Sequence, residues 1–268
     1  MLYTANIDRR NPTCFVFLVD QSGSMDEQCA GDNAGRSKAE AVADQINSLL
    51  AELIMKCSFG EVRDYFHLAV IGYGAQVHSV FGGLKALSEV NMQATMEIKE
   101  DPLTGVTVRT PVWMDALADG QTPMCAALAQ AQSLVEEWVQ GHPKCFPPVV
   151  INLTDGEAND GDPEVNARKL MTVTSADGAV LLFNGHLSSV AGGAIEFPGA
   201  RAVLQDDPYA LKLFEMSSKI PDAMKANAQR RGIHIGPAAR GMVFNSDFMS
   251  LANLLEMGTT MADAKPEA

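Results

Sequence analysis

The run Cys14-Phe15-Val16-Phe17-Leu18-Val19 constrains this chain more than any other stretch. Six apolar residues in a row are too few to span a membrane and read as a strand buried on both faces. The run stops at Asp20. Ser22 and Ser24 follow at alternate positions, and Gly23 lets the backbone turn tightly between them. A carboxylate and two hydroxyls leaving the end of one buried strand form a compact cluster of hard oxygens. Mg²⁺ or Mn²⁺ asks for such donors, whereas Zn²⁺ usually selects others. The same residues also suit an Asx-turn or a helix cap, so the rest of the chain has to decide.

Strands alternate with helices almost throughout. Ser37-Lys38-Ala39-Glu40 is a capping-box pattern, and Val42, Ile46, Leu49, Leu50 and Leu53 behind it predict a helix over 38–55. Residues 67–73 read as a second buried strand. Gly74-Ala75 is too short for a crossover, so 76–81 is expected to return antiparallel. Residues 84–119 have mixed periodicity and scattered prolines, with 106–108 as an edge element. Gly120-Gln121-Thr122-Pro123-Met124 opens the next helix, with Thr122 expected as N-cap and Pro123 as the first helical residue. Leu128, Ala131, Leu134, Val135 and Trp138 carry it to about Gly141.

A third buried strand, 149–153, runs into Thr154-Asp155-Gly156-Glu157. A helix over 163–174, a strand over 179–183 and a glycine-rich excursion over 188–207 follow. Helices are expected over 208–218 and 221–231, and a strand over 241–245. A last helix, 246–257, carries Phe248, Leu251, Leu254 and Leu255. The pattern predicts an α/β fold: one doubly wound, mostly parallel central sheet with one antiparallel edge strand and helices on both faces. The expected organisation is a polar segment over 1–12, a single domain over 13–258 and a mobile tail over 259–268. In such sheets ligands sit at the carboxyl ends of the strands, where the strand order reverses. Asp20 and Asp155 both leave carboxyl ends. If their strands are neighbours, the two carboxylates converge, and removing Asp20 is expected to relieve repulsion in the metal-free protein.

The chain has 268 residues, 47% of them hydrophobic, enough to bury a large core. Its net charge of −13 makes it a poor candidate for binding a nucleic-acid backbone. Cys14, Cys29, Cys57, Cys125 and Cys145 show no Cys-x-x-Cys spacing and read as reduced thiols. Neither a secretory h-region nor an apolar run of 18 residues is visible, so a cytoplasmic location without membrane contact is expected.

Asp20-x-Ser22-x-Ser24, then Thr122 before a helix, then Asp155-Gly156, resembles the metal-ion-dependent adhesion site (MIDAS) of von Willebrand factor type A (VWA) domains. The resemblance extends from about Thr13 to Gly258. It implies that the hydroxyls of Ser22, Ser24 and Thr122 bind Mg²⁺ or Mn²⁺. Asp20 and Asp155 would hold metal-bound waters, or one of them the ion itself. One position would stay open for an Asp or Glu carboxylate from a protein partner. Relatives of this resemblance couple the metal site to sliding of the C-terminal helix. The phrase Val149–Glu157 resembles that of intracellular bacterial proteins associated with tellurite resistance. Such proteins are often encoded beside protein kinases, phosphatases or MoxR-type ATPases, which implies a regulatory or stress-response complex.

The expected function is therefore a binding module and not an enzyme. The rival is a Mg²⁺ phosphohydrolase of the haloacid-dehalogenase type. That class wants an Asp two positions after its nucleophile as acid and base, and here Ser22 stands in its place. A metal-free scaffold with the same fold is the third reading. Asp160 and Asp162 are expected in a loop and a helix cap, and Glu157 as a solvated side chain. His67, His78, His142, His186 and His234 have no metal-ligand spacing and read as structural or solvent-facing.

Overall fold

The computed structural model describes residues 2–29, 35–100, 107–188, 193–204, 207–230, 232–246, 250 and 252–255. In chain order, β1 (Thr13–Asp20) leads through a 3₁₀ turn, Gly23–Asp26, to α1 (Lys38–Lys56). A small hairpin of β2 (Ser58–Phe59) and β3 (Glu61–Val62) precedes β4 (Phe66–Tyr73), β5 (Val77–Ser79) and β6 (Lys85–Ala86). Helix α2 (Leu87–Met92) opens onto a hairpin of β7 (Thr95–Glu100) and β8 (Thr107–Val112). Then come α3 (Met124–Gly141), β9 (Val149–Thr154) and α4 (Pro163–Leu170). The short pair β10 (Thr174–Ser175) and β11 (Gly178–Ala179) leads into β12 (Leu181–Leu187) and β13 (Ile195–Glu196). Last are α5 (Pro208–Met216), α6 (Asp222–Arg230) and β14 (Met242–Ser246).

The main sheet runs β13-β14-β12-β9-β1-β4-β5, with β6 also on β4. The five inner strands β14, β12, β9, β1 and β4 pair in parallel. The expected antiparallel edge is present as β5, and the two-residue strands β6 and β13 add antiparallel pairs. β1 lies at the centre, fully buried along its length as its unbroken apolar run requires. Its alternate residues feed two cores. Phe15, Phe17 and Val19 pack with Val42, Ile46 and Leu50 of α1 and Met224 of α6. Cys14, Val16 and Leu18 pack with α3, α4 and α5 through Met124, Leu128, Leu170 and Leu213. Helices therefore cover both faces, as the binary pattern demands.

Several boundaries differ from the sequence reading. Helix α4 stops at Leu170, because the β-branched run Thr172-Val173-Thr174 turns into the β10 strand instead of extending the helix. β12 continues to Leu187. Of the segment 106–108, Thr107 and Val108 are described, and they start β8, which among the described residues pairs with β7 in a separate hairpin and not with the main sheet. Thr122 does not cap α3. Pro123 occupies the N-cap position with no side-chain bond, and helical residues begin at Met124. Ser246, expected to open the last helix, instead ends β14; beyond it, Ser250 and residues 252–255 are described and helical, with Leu254 and Leu255 buried. Phe248, Leu251 and the segment 259–268 lie outside the described residues. Among the described residues, no helix is long and apolar enough to cross a membrane.

Candidate metal centre at the carboxyl edge

β1 and β9 are parallel neighbours with Val19 opposite Leu153, so Asp20 and Thr154 leave the sheet side by side. The Asp20 carboxylate is fully buried. Its Oδ1 accepts the Ser22 backbone N–H at 2.9 Å, and its Oδ2 accepts the Thr154 hydroxyl at 2.7 Å. Burial pushes the Asp20 carboxyl above its usual range, against those hydrogen bonds. Among the described residues no lysine, arginine or histidine pairs with it.

The other predicted residues gather beside it. Ser22 Oγ and Ser24 Oγ are 3.1 Å apart, and Ser24 Oγ donates to Asp155 Oδ1 at 2.8 Å. Thr122 arrives on a loop stitched to the first. Gly23 N donates to Gly120 O at 3.1 Å, and Asp119 N donates to Gln21 O at 2.7 Å. Two glycines allow these loops to meet. A Cβ on Gly74 would stand 2.5 Å from Gln21 O and 2.6 Å from Asp119 O, and Gly120 has φ +81 against the Ala75 backbone. The Thr122 residue is 8% exposed, and its hydroxyl has no hydrogen-bond partner among the described residues. The structure thus links Ser22, Ser24 and Asp155 directly, sets Asp20 against the Ser22 backbone, and brings Thr122 near through the backbone of its loop.

Four further residues shape this corner. Thr154 donates to Asp20, and its Oγ1 accepts the Gly156 backbone N–H at 3.2 Å. The Tyr209 hydroxyl, from α5, donates to the Gly156 carbonyl. His186 packs on Tyr209 and Phe244 with centroids 5.3 and 4.4 Å away. Burial lowers its imidazole to about 4, so it is neutral at pH 7, with Nδ1 accepting the Asn245 N–H at 3.3 Å. Lys38, the first residue of α1, reaches Asp155 Oδ2 at 2.8 Å and Glu27 Oε2 at 2.9 Å. Thr154 was legible as the residue before Asp155. A lysine beside a capping box gives no such signal.

The remaining candidates sit elsewhere. Asp160 accepts from Cys125 N at 3.0 Å and Ala126 N at 2.9 Å, capping α3 from another loop. Asp162 caps α4, and Glu157 is exposed. His67 and His142 both pack on Trp138, whose ring stacks on His142 at 3.7 Å. His78 and His234 are exposed. All five cysteines are free thiols.

The donor set at the corner is two carboxylates and three hydroxyls. Among the described residues no three His, Cys, Asp or Glu side chains gather in a metal-binding cluster. Such an oxygen set fits a hard divalent cation that keeps some of its waters. A buried carboxylate without a cationic partner among the described residues agrees with that fit.

Strand order, antiparallel edge and a site at the carboxyl ends of the central strands define a VWA-like α/β fold. No family model matches the sequence, and no curated protein matches it. Solved structures do. The chain is similar to proximal thread matrix protein 1 from the mussel byssus, at 16% identity and TM-score 0.50, over 94% of this chain and 48% of that one. A structure of that mussel protein with a zinc-occupied MIDAS motif matches at 16% identity and TM-score 0.39, over 67% of this chain and 37% of that one. Manganese-loaded TRAP protein of Plasmodium vivax matches at 17% identity and TM-score 0.36, over 66% of this chain and 58% of that one. This chain spans less than two thirds of each of those solved chains. At such identities the mussel match over nearly the whole chain bears on the fold alone.

Proposed function

We propose that this protein is a divalent-metal-dependent protein-binding module. The observation that carries the reading is Asp20: a fully buried carboxylate with only neutral donors, set beside Ser22, Ser24, Thr122 and Asp155. A Mg²⁺ or Mn²⁺ ion held by the three hydroxyls, with Asp20 and Asp155 behind its waters, would compensate that charge. The ion supplies a positively charged, exchangeable position for an Asp or Glu carboxylate of a protein partner. Neutral hydroxyl ligands leave the ion's charge poorly quenched, which favours an incoming anion.

The partner's identity is an extension of the same reading. The resemblance of Val149–Glu157 supports an intracellular bacterial regulatory or stress-response complex, in the cytoplasm, with a kinase, phosphatase or MoxR-type ATPase as partner class. The phosphohydrolase reading is disfavoured by the Ser22 hydroxyl, which cannot replace a carboxylate as general acid and base.

Calorimetric titration of chelator-stripped protein with Mn²⁺ tests the module. About one ion per chain is expected, with weak affinity, and Asp20→Asn is expected to abolish the heat. Absence of binding by the wild-type protein at millimolar Mn²⁺ and Mg²⁺ would favour the metal-free scaffold. Mg²⁺-dependent turnover of aryl phosphates, lost in Asp20→Asn, would favour the hydrolase.

A further inference from the structure

Lys38 is an unexpected occupant of this corner. As the first residue of α1 it stands at the positive end of the helix dipole, where a cation is disfavoured. Its side chain is only 4% exposed, and burying an ammonium is costly unless it is paired. Here it is paired twice, with Asp155 Oδ2 at 2.8 Å and Glu27 Oε2 at 2.9 Å. The Asp155 side chain is itself fully buried, and its other oxygen accepts from Ser24 Oγ at 2.8 Å. One oxygen of Asp155 therefore faces a fixed cation. The other faces a hydroxyl of the candidate metal centre. Asp20 has no such partner, so the two carboxylates are treated differently by the fold.

We infer that Lys38 is a built-in counter-cation that sets the metal affinity of this site. It offsets the charge of Asp155 in the metal-free protein, while sharing its own with Glu27, and holds Asp155 Oδ2. Only Oδ1 is left for the ion or its waters. A fixed positive charge on the carboxylate that would serve the ion opposes binding; Glu27 offsets part of that repulsion, and the remainder is expected to cost at least about tenfold in affinity. The inference rests on the metal-site reading above. It adds that the site is tuned to be weak, so that occupancy follows the metal supply or the arrival of a partner carboxylate.

The test compares Mn²⁺ affinity by calorimetry, and melting in EDTA, for wild type, Lys38→Met and Lys38→Gln. Lys38→Met keeps the apolar stem. Lys38→Gln keeps a donor to Asp155 and serves if the Met variant does not fold. Both are expected to bind Mn²⁺ at least about tenfold more tightly than wild type while melting lower in EDTA. Lys219→Met makes the same change in net charge at an exposed position and is expected to leave affinity unchanged. Wild-type binding with unaltered affinity in the Lys38 variants would overturn the inference and leave the metal site standing, with Lys38 a structural ion pair. Equal gains in Lys219→Met would also overturn it, by showing a general charge effect. If neither wild type nor variants bind Mn²⁺, the metal-site reading falls and the inference falls with it.

Discussion

Thr154 donates its hydroxyl to Asp20 Oδ2 at 2.7 Å, joining the ends of the two central strands beneath the candidate metal centre. Both residues are fully buried. Two facing carboxylates suggest from the sequence that removing Asp20 would relieve repulsion. Lys38 pairs with Asp155 and weakens that repulsion, although the Asp155 charge still raises the Asp20 carboxyl. Against that relief, Asp20→Ala strands the Thr154 hydroxyl and the Ser22 N–H. The metal-free variant is expected to lose about 1–3 kcal/mol of stability. Thr154→Val should lose a similar amount, and Thr154→Ser should keep most of it. Urea unfolding in EDTA measures all three. An Asp20→Ala protein as stable as wild type would show that burying the carboxylate costs as much as its hydrogen bonds contribute.

Asp160 caps α3 from a loop 35 residues away, in place of the Thr122 cap that the sequence suggests. The next residue back, Asn159, donates its N–H to Thr122 O at 3.2 Å, so one loop secures both the helix start and the metal-site threonine. Asp160→Ala is expected to cost about 1 kcal/mol, as loss of a carboxylate cap does. It should also weaken Mn²⁺ binding severalfold by loosening Thr122. Unfolding midpoints and calorimetry on the same sample check both effects. Unchanged affinity would confine Asp160 to the helix.

This exchange of caps illustrates what the chain makes legible. The central strands were readable because their apolar runs are unbroken, a pattern that only burial on both faces produces. Asp20, Ser22, Ser24 and Asp155 were readable because the ends of β1 and β9 place them, whereas Thr122 reads locally as a helix cap and came only from the resemblance. Long-range partners were not. Nothing local to Asp160 says that it serves Cys125 and Ala126, and Lys38 reads as a solvated lysine until Asp155 is brought to it. The β7–β8 hairpin escaped for a different reason. Met96 and Ile98 alternate with polar residues as a strand should, yet both are exposed, at 52% and 72%. Pro111 within β8 and the lack of a core-facing side weakened the signal further.

His67 offers a pH-dependent test away from the metal centre. Its ring lies 4.6 Å from Trp138, and its buried Nδ1 has no hydrogen-bond partner among the described residues. Burial lowers its imidazole below the usual 6.5, with Asp64 and Glu89 opposing and His142 assisting. The unfolded chain therefore takes up a proton at a pH where the folded chain does not. The contribution of neutral His67 to stability is complete above about pH 6.5 and is lost as pH falls below it. His67→Phe keeps the ring packing and removes the titration. Melting curves from pH 7.5 to 5 should show wild type losing stability faster than the variant. Parallel curves would mean that His67 protonates freely in the folded state.

The last described residues pack against the same core as α1. Leu254 is fully buried and Leu255 is 2% exposed, in the cluster that contains Phe15 and Phe17 of β1. Ser250 Oγ and Asn253 Nδ2 donate to the Glu196 carboxylate at 2.8 and 3.2 Å, fastening this segment to β13. A helix held by both apolar burial and two side-chain hydrogen bonds acts first as a lid on the core. Leu254→Ala is therefore expected to cost about 2–5 kcal/mol in unfolding free energy, by leaving a cavity over the sheet. Mn²⁺ affinity of the folded fraction should stay within twofold of wild type. A larger change would mean that the helix has two packed positions of similar energy that the metal discriminates. Measuring unfolding and Mn²⁺ binding on one preparation separates the lid from the coupled helix, because a lid changes stability alone.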